Sequence, residues 1–247
     1  MNNWWKDYFL DAWPKIQHFI KGEENTYLET NYIEGILEEK KYKHILDVPC
    51  GTGRIALELA ERGYTTCGLD FNKKNIEEAQ KSSVQKELPQ QTEWICGDMR
   101  EIPFKNTFDA AVCIFGSFGY FDDIDNRKFL QSVYDSLKPG GSFLLETHTL
   151  ETMLPIFTHQ DFWRFEDCWV LDERNFNIPE SRIESTWTTI QDGGQQLQHK
   201  SSVRIYSYRE LTTLLKSVGF KHFSAEGSFE AEEFELGAER LLLLAEK

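Results

Sequence analysis

Short apolar runs alternate with amphipathic stretches along most of the chain. The run Ile45, Leu46 and Val48 is brief and uninterrupted, which is typical of a strand covered by helices on both faces. A helical pattern follows and ends at Gly63, with apolar contacts expected from Ile55, Leu57, Leu59 and Ala60. A second strand then runs to Asp70. This stretch therefore predicts a strand, a helix and a strand in succession.

The same alternation continues further along the chain. A helix is predicted over residues 72–86 with Asn72 as its N-cap, and another over 125–137 that opens with Asp125. Residues 138–141 are predicted to turn into a strand over 142–147, and a last strand is predicted over 240–245. Repeated strand and helix units indicate a parallel sheet, so the predicted fold class is α/β.

Between residues 151 and 205 the hydrophobic pattern changes to period two. Arg182, Glu184, Thr186 and Thr188 alternate with Ile183, Ser185, Trp187 and Thr189. Asp192 and Gly193 follow at the point where a hairpin turn needs positive φ. This pattern predicts a small antiparallel β insertion between the fifth strand and the following helix.

Residues 1–43 precede the first strand and are predicted to be helical. They are rich in aromatic side chains, notably Trp4, Trp5, Tyr8, Phe9 and Trp13. Two interpretations are open at this point. The segment either covers a ligand site as a cap, or packs its rings against the sheet edge as part of the core.

A glycine turn joins the first strand to its helix. Gly51 and Gly53 allow a tight turn and a close approach to a ligand. The third position of a dinucleotide fingerprint is Ala56, which that fingerprint tolerates, so the glycines alone do not separate one nucleotide from another. Asp47 lies four positions before Gly51. A carboxylate there would repel a pyrophosphate and suits an ammonium group.

Two further carboxylates stand at predicted strand ends. Asp70 can accept both hydroxyls of a ribose, and Asp98 can accept from the exocyclic amine of adenine. S-adenosylmethionine carries an ammonium and a sulfonium and no phosphate. The three acids therefore fit this cofactor better than they fit a dinucleotide.

Five segments in this order resemble the successive motifs of class I S-adenosylmethionine-dependent methyltransferases: LDVPCGTGR, GLDFN, ICGDMREIPF, FDAAVCIFGSFGYF and LKPGGSFLLE. They cover roughly residues 44–150, and residues 203–247 are similar to the closing part of that family. The resemblance implies a Rossmann-like, seven-stranded sheet that is mostly parallel, with an antiparallel last strand beside the fifth. It also implies methyl transfer from S-adenosyl-L-methionine, here to a small-molecule acceptor.

The cofactor site implied by this resemblance comprises Asp47, Pro49, Gly51, Gly53, Asp70, Phe71, Asp98, Met99 and Phe115. The first four belong to the strand and loop that would hold the methionine part. Asp70 would bind the ribose, and Asp98 with Met99 the adenine. Phe71 and Phe115 would pack beside the nucleoside.

The acceptor is expected beside the loop of residues 116–121, which follows the fourth strand. Tyr120 and His148 are the candidate catalytic residues, since either could remove a proton, with Glu146 and His199 as further candidates. The loop reads IFGSFGY, where enzymes that methylate adenine or glutamine amides carry a proline-rich tetrapeptide. This difference disfavours nucleic acid as the substrate.

The amino-acid composition argues against several other classes of protein. The 247 residues include 27 basic and 41 acidic side chains, for a net charge of −14, which would repel a phosphate backbone. Most of these acids also fit a simple solvated surface. No apolar stretch approaches the roughly 20 residues of a membrane span, and no signal-peptide pattern is found at the N-terminus. Five cysteines without C-x-x-C spacing indicate reduced thiols in the cytoplasm, and no metal site is expected from the six scattered histidines.

The expected organisation is a cap over residues 1–43, a cofactor-binding core over 44–150 and 206–247, and the β insertion over 151–205. The insertion either covers the acceptor as a lid or forms a homodimer interface, with Phe162, Trp163, Phe165 and Trp169 available for both. Two alternative functions stay open at this level. They are a nicotinamide-dependent oxidoreductase and a non-catalytic cofactor-binding protein of the same fold.

Overall fold

The computed structural model describes residues 3–12, 23–165, 168–191 and 193–247. The predicted cap residue Trp13 and the predicted turn residue Asp192 lie outside these ranges. In chain order the strands are β1 His44–Asp47, β2 Thr65–Asp70, β3 Thr92–Cys96, β4 Phe108–Cys113, β5 Leu137–Thr147, β6 Gln160–Arg164, β7 Cys168–Asn177, β8 Arg182–Gln191, β9 Gln196–Arg204, β10 Lys221–Glu226 and β11 Leu241–Glu246.

Seven strands form the central sheet, in the order β10-β11-β5-β4-β1-β2-β3. Neighbouring strands from β5 to β3 pair in parallel, and β11 runs antiparallel to both β5 and β10. The predicted α/β class, with its mostly parallel sheet and antiparallel last strand, is confirmed. β1 lies between β2 and β4, so the chain reverses its direction of winding at β1, where open α/β sheets bind their ligands.

The helices in the described ranges are α1 Trp4–Asp7, which continues as a π-helical turn over Tyr8–Ala12, α2 Glu23–Lys40, α3 Arg54–Glu61, α4 Lys73–Gln85, α5 Asp123–Ser136, α6 Leu150–Met153 and α7 Tyr208–Val218. Short 3-10 turns cover Met99–Glu101 and Leu154–Ile156. Asn72 is the N-cap of α4, as predicted, and its side chain accepts a hydrogen bond from the Lys74 N–H at 3.0 Å.

Two predicted boundaries were wrong. Helix α5 begins at Asp123 with Asp122 as its N-cap, because the Asp122 carboxylate accepts from the Asp125 N–H at 2.8 Å and Asp125 is already helical. Strand β5 begins at Leu137, which pairs with Phe108 before a bulge over residues 138–141. The bulge is fixed to the segment between α2 and β1, because the Tyr42 hydroxyl donates to the Gly140 carbonyl at 2.6 Å.

Helices cover both faces of the central sheet, so the middle strands are fully buried. Ile45 and Leu46 of β1 are completely inaccessible to solvent. Ile33 and Leu37 of α2 pack on one face with β1, and Phe129 of α5 belongs to the cluster on the other. This double coverage explains the uninterrupted apolar pattern of β1.

A separate four-stranded antiparallel sheet has the order β6-β7-β8-β9. It lies between β5 and α7 in the chain, as the period-two pattern predicted, although α6 and a 3-10 turn come before its first strand. In the described part of the β8–β9 turn, positive φ is found at Gly194. We call β6–β9 the inserted sheet.

The inserted sheet joins the core at one place. Thr149 and Tyr206 form a β-bridge, and the Leu150 N–H donates to the Tyr206 carbonyl at 3.0 Å. The Arg204 N–H donates to the Gly119 carbonyl at 2.8 Å, and Arg182 donates to the Phe121 carbonyl at 3.0 Å. The base of the sheet is therefore bonded directly to the loop that follows β4.

Candidate active site

A cavity of about 530 Å³ lies at the carboxyl ends of the central strands, between the core and the inserted sheet. Nine of the eleven predicted site residues line it: Pro49, Gly51, Asp70, Phe71, Asp98, Met99, Phe115, Tyr120 and His148. The other two, Asp47 and Gly53, are not part of its wall. The structure thus brings together residues from the ends of five strands.

Asp47 lies beside the first turn of α3 and not at the cavity surface. It is buried, with 3% of its surface exposed, and its carboxylate accepts from the Ala56 N–H at 3.2 Å. The first N–H groups of a helix lack intrahelical partners, so a carboxylate in this position fixes the start of α3. This hydrogen bond supports the glycine loop, and the contact of Asp47 with a ligand stays a prediction.

Gly53 also acts on the packing of the loop. Its φ is +82°, and a Cβ at this position would overlap the Trp94 ring. Gly51, with φ of +55°, faces open space and lines the cavity. Of the two glycines in the turn, Gly51 alone gives a ligand access to the backbone.

Asp70 connects the glycine loop to the next helix. Its carboxylate accepts from the Gly51 N–H at 3.0 Å and from the Asn72 N–H at 2.8 Å. It also faces the Asn75 amide at 3.4 Å. The residue is 5% exposed and lines the cavity, so it can hold the loop in place and still meet a ligand there.

Asp98 caps the 3-10 turn after β3 and pairs with Arg100. The Arg100 side chain donates to it at 2.6 Å and 3.0 Å and also forms an ion pair with Asp125. Partial burial works to raise the pKa of Asp98, but the hydrogen bonds from Arg100 outweigh it and hold that pKa below its usual value. Asp98 is therefore ionised at neutral pH. Arg100 thus serves as a structural ion-pair partner of both Asp98 and Asp125.

Aromatic rings of α1 close one side of the cavity. Trp5 is buried, and its ring centroid lies 4.9 Å from that of Phe71 and 5.5 Å from that of Phe121. The Asn72 amide donates to the Phe9 carbonyl at 3.2 Å. Both sequence interpretations of these rings thus hold, because they pack on the core and cover the cavity together.

Tyr120 is enclosed by rings. Trp4 and Phe9 lie 5.8 Å and 5.0 Å from it between ring centroids. Burial raises the pKa of Tyr120 well above its ordinary value, so its hydroxyl stays protonated at neutral pH. Tyr120 also lines the cavity. Its catalytic role stays a prediction.

His148 faces the cavity beside the loop after β4. Its side chain is partly exposed at the cavity. Loss of water contacts within the cavity, together with the charge of Arg240, lowers the pKa of His148 below 6.5. The imidazole is therefore neutral at physiological pH and can accept a proton. Neighbouring Glu146 is buried away from the cavity, where it accepts from the Gly116 N–H at 2.7 Å and supports this loop.

The inserted sheet provides the far wall, and of its cavity residues sequence reasoning had named only Trp163 for a functional role. Its cavity-facing residues are Trp163, Asp172, Arg174, Ile183, Ser185, Trp187, Ser201 and Val203. Those of β8 and β9 have odd numbers and those of β7 even numbers, as one face of an antiparallel sheet requires. The period-two pattern contained this signal, but only the fold shows which face meets the cavity.

No helix within the described ranges is long and apolar enough to cross a membrane. Among the same residues, no group of three or more His, Cys, Asp and Glu side chains is arranged to hold a metal ion. The five cysteines lie within the described ranges and form no disulfide there; four are buried and Cys96 is exposed.

The switch-point crevice, the glycine turn and the acids at successive strand ends define an α/β enzyme that binds a nucleoside cofactor. Comparison with known proteins is more specific. Residues 45–141 match the family model of a methyltransferase domain. The chain is 30% identical over 226 residues to the putative methyltransferase YqeM of Bacillus subtilis, an alignment that covers 88% of this chain and 89% of that protein.

Solved structures agree. An S-adenosylmethionine-dependent methyltransferase from Clostridium acetobutylicum superposes with a TM-score of 0.82 at 17% identity, covering 96% of this chain and 99% of that one. CalS10, an amino pentose methyltransferase of Micromonospora echinaspora solved with S-adenosylmethionine bound, gives a TM-score of 0.67 at 20% identity over 89% and 90% of the two chains.

The chain belongs to the class I S-adenosylmethionine-dependent methyltransferases, as the motifs predicted. It is an enzyme that uses S-adenosyl-L-methionine to methylate an acceptor. The cavity residues fit this cofactor, since Asp70 and Asp98 are exposed to the cavity beside aromatic rings and a glycine backbone. Nothing in the comparisons favours the oxidoreductase or the non-catalytic alternative.

Proposed function

We propose that the enzyme methylates a small molecule held inside the cavity between the core and the inserted sheet. One observation carries this proposal: the same cavity of about 530 Å³ is lined by the cofactor-side acids and by side chains of β6–β9. A cavity enclosed on both sides suits a compact acceptor better than a polymer. The net charge of −14 further disfavours nucleic acid.

The cofactor side of the cavity is assigned as follows. Asp70 accepts the ribose hydroxyls, Asp98 and Met99 meet the adenine, and Phe71 and Phe115 pack beside the nucleoside. Gly51 and Pro49 form the wall around the methionine part. Asp47 and Gly53 hold the loop in shape from behind, which is supported by the Asp47 hydrogen bond to Ala56 and the contact of Gly53 with Trp94.

Bound S-adenosylmethionine supplies a methyl group that is already activated for transfer. The chain's own residues must then align the acceptor and exclude water. An acceptor that carries a hydrogen on the attacking atom must also lose that proton. His148 is the residue we assign to this step, because its imidazole is neutral and faces the cavity. Tyr120 is assigned to shaping the acceptor pocket.

The three segments take complementary roles in this proposal. Residues 1–43 act as a cap, 44–150 and 206–247 bind the cofactor, and 151–205 cover the acceptor as a lid. Trp5 and Trp187, which both line the cavity, support the cap and lid assignments. The location proposed is the cytoplasm, which the five free cysteines support.

The alternative role of the inserted sheet, a homodimer interface, would use its outer face. Phe162, Trp169 and Leu171 are exposed there, with 64%, 40% and 38% of their surfaces accessible. Sedimentation analysis of the purified protein distinguishes the two roles. A monomer supports the lid alone, whereas a dimer that dissociates when Trp169 is changed to Ser supports the interface.

The acceptor class is tested by following the methyl group. The enzyme is incubated with methyl-labelled S-adenosylmethionine and a cell extract, and the products are separated by size. We expect the label in the low-molecular-mass fraction. Label retained in the protein or RNA fraction would contradict a small-molecule acceptor, and Asp70→Asn enzyme provides the background.

A further inference from the structure

Asp172 is a buried carboxylate in the acceptor half of the cavity that lacks part of its hydrogen bonding. It lies on β7, is 3% exposed, and lines the cavity wall. Its Oδ2 accepts from Arg174 Nε at 2.5 Å. Its Oδ1 is buried and has no hydrogen-bond partner in the described parts of the chain. An unsatisfied buried acceptor costs folding free energy unless something donates to it.

The charges around Asp172 do not balance. Arg174 pairs with Asp172 and also with Asp161, the residue opposite Asp172 on β6, at 3.2 Å. Two carboxylates share one guanidinium, so the cluster carries a net negative charge. The remaining charged cavity residues, Arg54, Asp70 and Asp98, come from the core and belong to the cofactor half.

Aromatic rings surround the same place. Trp187 lies directly opposite Asp172 on β8, and its ring centroid is 5.7 Å from that of Trp163. Tyr8 of the cap is 6.1 Å from Trp187 between centroids. Burial and the nearby Asp172 charge raise the pKa of Tyr8, so the phenol is neutral. Ring faces and an unpaired carboxylate oxygen are together the features that bind an organic cation.

We propose that the acceptor of this enzyme is an amine, whose ammonium group binds Asp172 Oδ1 between Tyr8, Trp163 and Trp187. Before its nitrogen could accept the methyl group, the bound ammonium would lose one proton to the neutral imidazole of His148, the base assigned above. This inference rests on the proposed small-molecule function and names its substrate class. An anionic acceptor is disfavoured, because the Arg174 guanidinium is already held by two carboxylates. Sequence pattern alone gave no sign of this, since Asp172 becomes a cavity residue only when β7 packs over the core.

The test uses the full-length enzyme saturated with S-adenosylhomocysteine. Phenethylammonium and phenethyl alcohol, which differ chiefly in charge, are titrated separately by calorimetry, with phenylpropionate as the anionic probe. We expect the ammonium to bind at least about tenfold more tightly than the alcohol, the size of effect that one charge-assisted hydrogen bond supplies. Phenylpropionate should bind most weakly.

Two variants test whether Asp172 causes the preference for the ammonium. Asp172→Asn keeps the shape and removes the charge, so the preference for the ammonium should disappear. Glu173→Gln makes the same change on the opposite, exposed face of β7 and should leave the preference intact. If Asp172→Asn fails to fold, the wild-type ranking of the three probes still decides, and Trp187→Leu should weaken ammonium binding without abolishing the ranking.

Equal affinities for ammonium and alcohol in the wild-type enzyme, or no binding of either, would overturn the amine assignment. The preference surviving in Asp172→Asn would overturn the role of Asp172. Either result can be distinguished from a failure of the proposed function. S-adenosylhomocysteine affinity and the size class of the labelled product are measured independently of these probes.

Discussion

Asp70 serves structure and ligand binding with one carboxylate. It accepts from the Gly51 and Asn72 N–H groups and lines the cavity. Because the carboxylate faces the cavity, the residue proposed to bind the ribose also positions the glycine loop around it.

Asp70→Asn should therefore lower both stability and affinity. An amide can accept through only one oxygen and carries no charge, so we expect about a tenfold to hundredfold loss of S-adenosylhomocysteine affinity by calorimetry. The melting temperature should fall by a few degrees. The matched control is Asp109→Asn, because Asp109 accepts from the Lys43 and His44 N–H groups at 2.9 Å and is not part of the cavity wall. It should lose stability and keep affinity; equal affinity losses in both variants would refute the ribose assignment.

His148 should make turnover depend on pH. The neutral imidazole is the form that accepts a proton, and loss of water contacts within the cavity lowers its pKa below 6.5. The rate at saturating acceptor should rise with pH through a transition that lies below 6.5. The free energy of unfolding should also fall as the pH drops through this window, because the unfolded chain binds the proton more readily.

Replacing His148 with Gln should remove the transition and slow turnover by about a hundredfold or more. The rates are measured with the acceptor fraction purified from the labelling experiment. His222→Gln, an exposed substitution on β10, should leave the profile unchanged. A His148→Gln profile that keeps the wild-type transition would exclude His148 as the group that titrates.

At the scale of elements, Gly119 determines how the inserted sheet meets the core. Its φ is +90°, its carbonyl accepts from the Arg204 N–H, and a Cβ would collide with the Arg204 carbonyl oxygen. Glycine is thus required here for two reasons, backbone conformation and close approach.

The substitution Gly119→Ala tests this contact, and Gly140→Ala is the control. Gly140 also has a positive φ, of +79°, but has open space around it. The left-handed conformation alone should cost Gly140→Ala about 1–2 kcal/mol of unfolding free energy. Gly119→Ala should cost at least about twice as much, because the collision adds to the strain. Denaturant unfolding measures both, and equal losses would mean that the base of the sheet adjusts freely.

Elements near the first strand could be predicted well because local rules determine them. The β1 run, the glycine turn, Gly63 and the Asn72 cap each have their own signal in the sequence, and the family resemblance placed the last strand beside the fifth. The motif names Asp47 and Gly53 as site residues but does not show the direction in which either faces. Only the fold reveals that one side chain bonds to α3 and that the other position faces Trp94. The position of Asp172 in the cavity wall was missed because an alternating strand pattern does not show what packs against each face of the strand.

At the scale of the whole molecule, the central sheet and the inserted sheet enclose one cavity. The parallel sheet contributes strand-end acids and a glycine loop, and the antiparallel sheet contributes aromatic and charged side chains. Helix α1 fills the gap between them with Trp5 and Tyr8. Cofactor binding and acceptor binding are thus supported by separate sets of hydrogen-bonded strands.

The bridge between Thr149 and Tyr206 has a consequence for how such enzymes diversify. Because the segment leaves and rejoins the core at adjacent positions, it can be exchanged for another of different length without changing the connections of the strands that bind the cofactor. With the lid role proposed above, exchange of this segment would change the acceptor side of the cavity and leave the cofactor side intact.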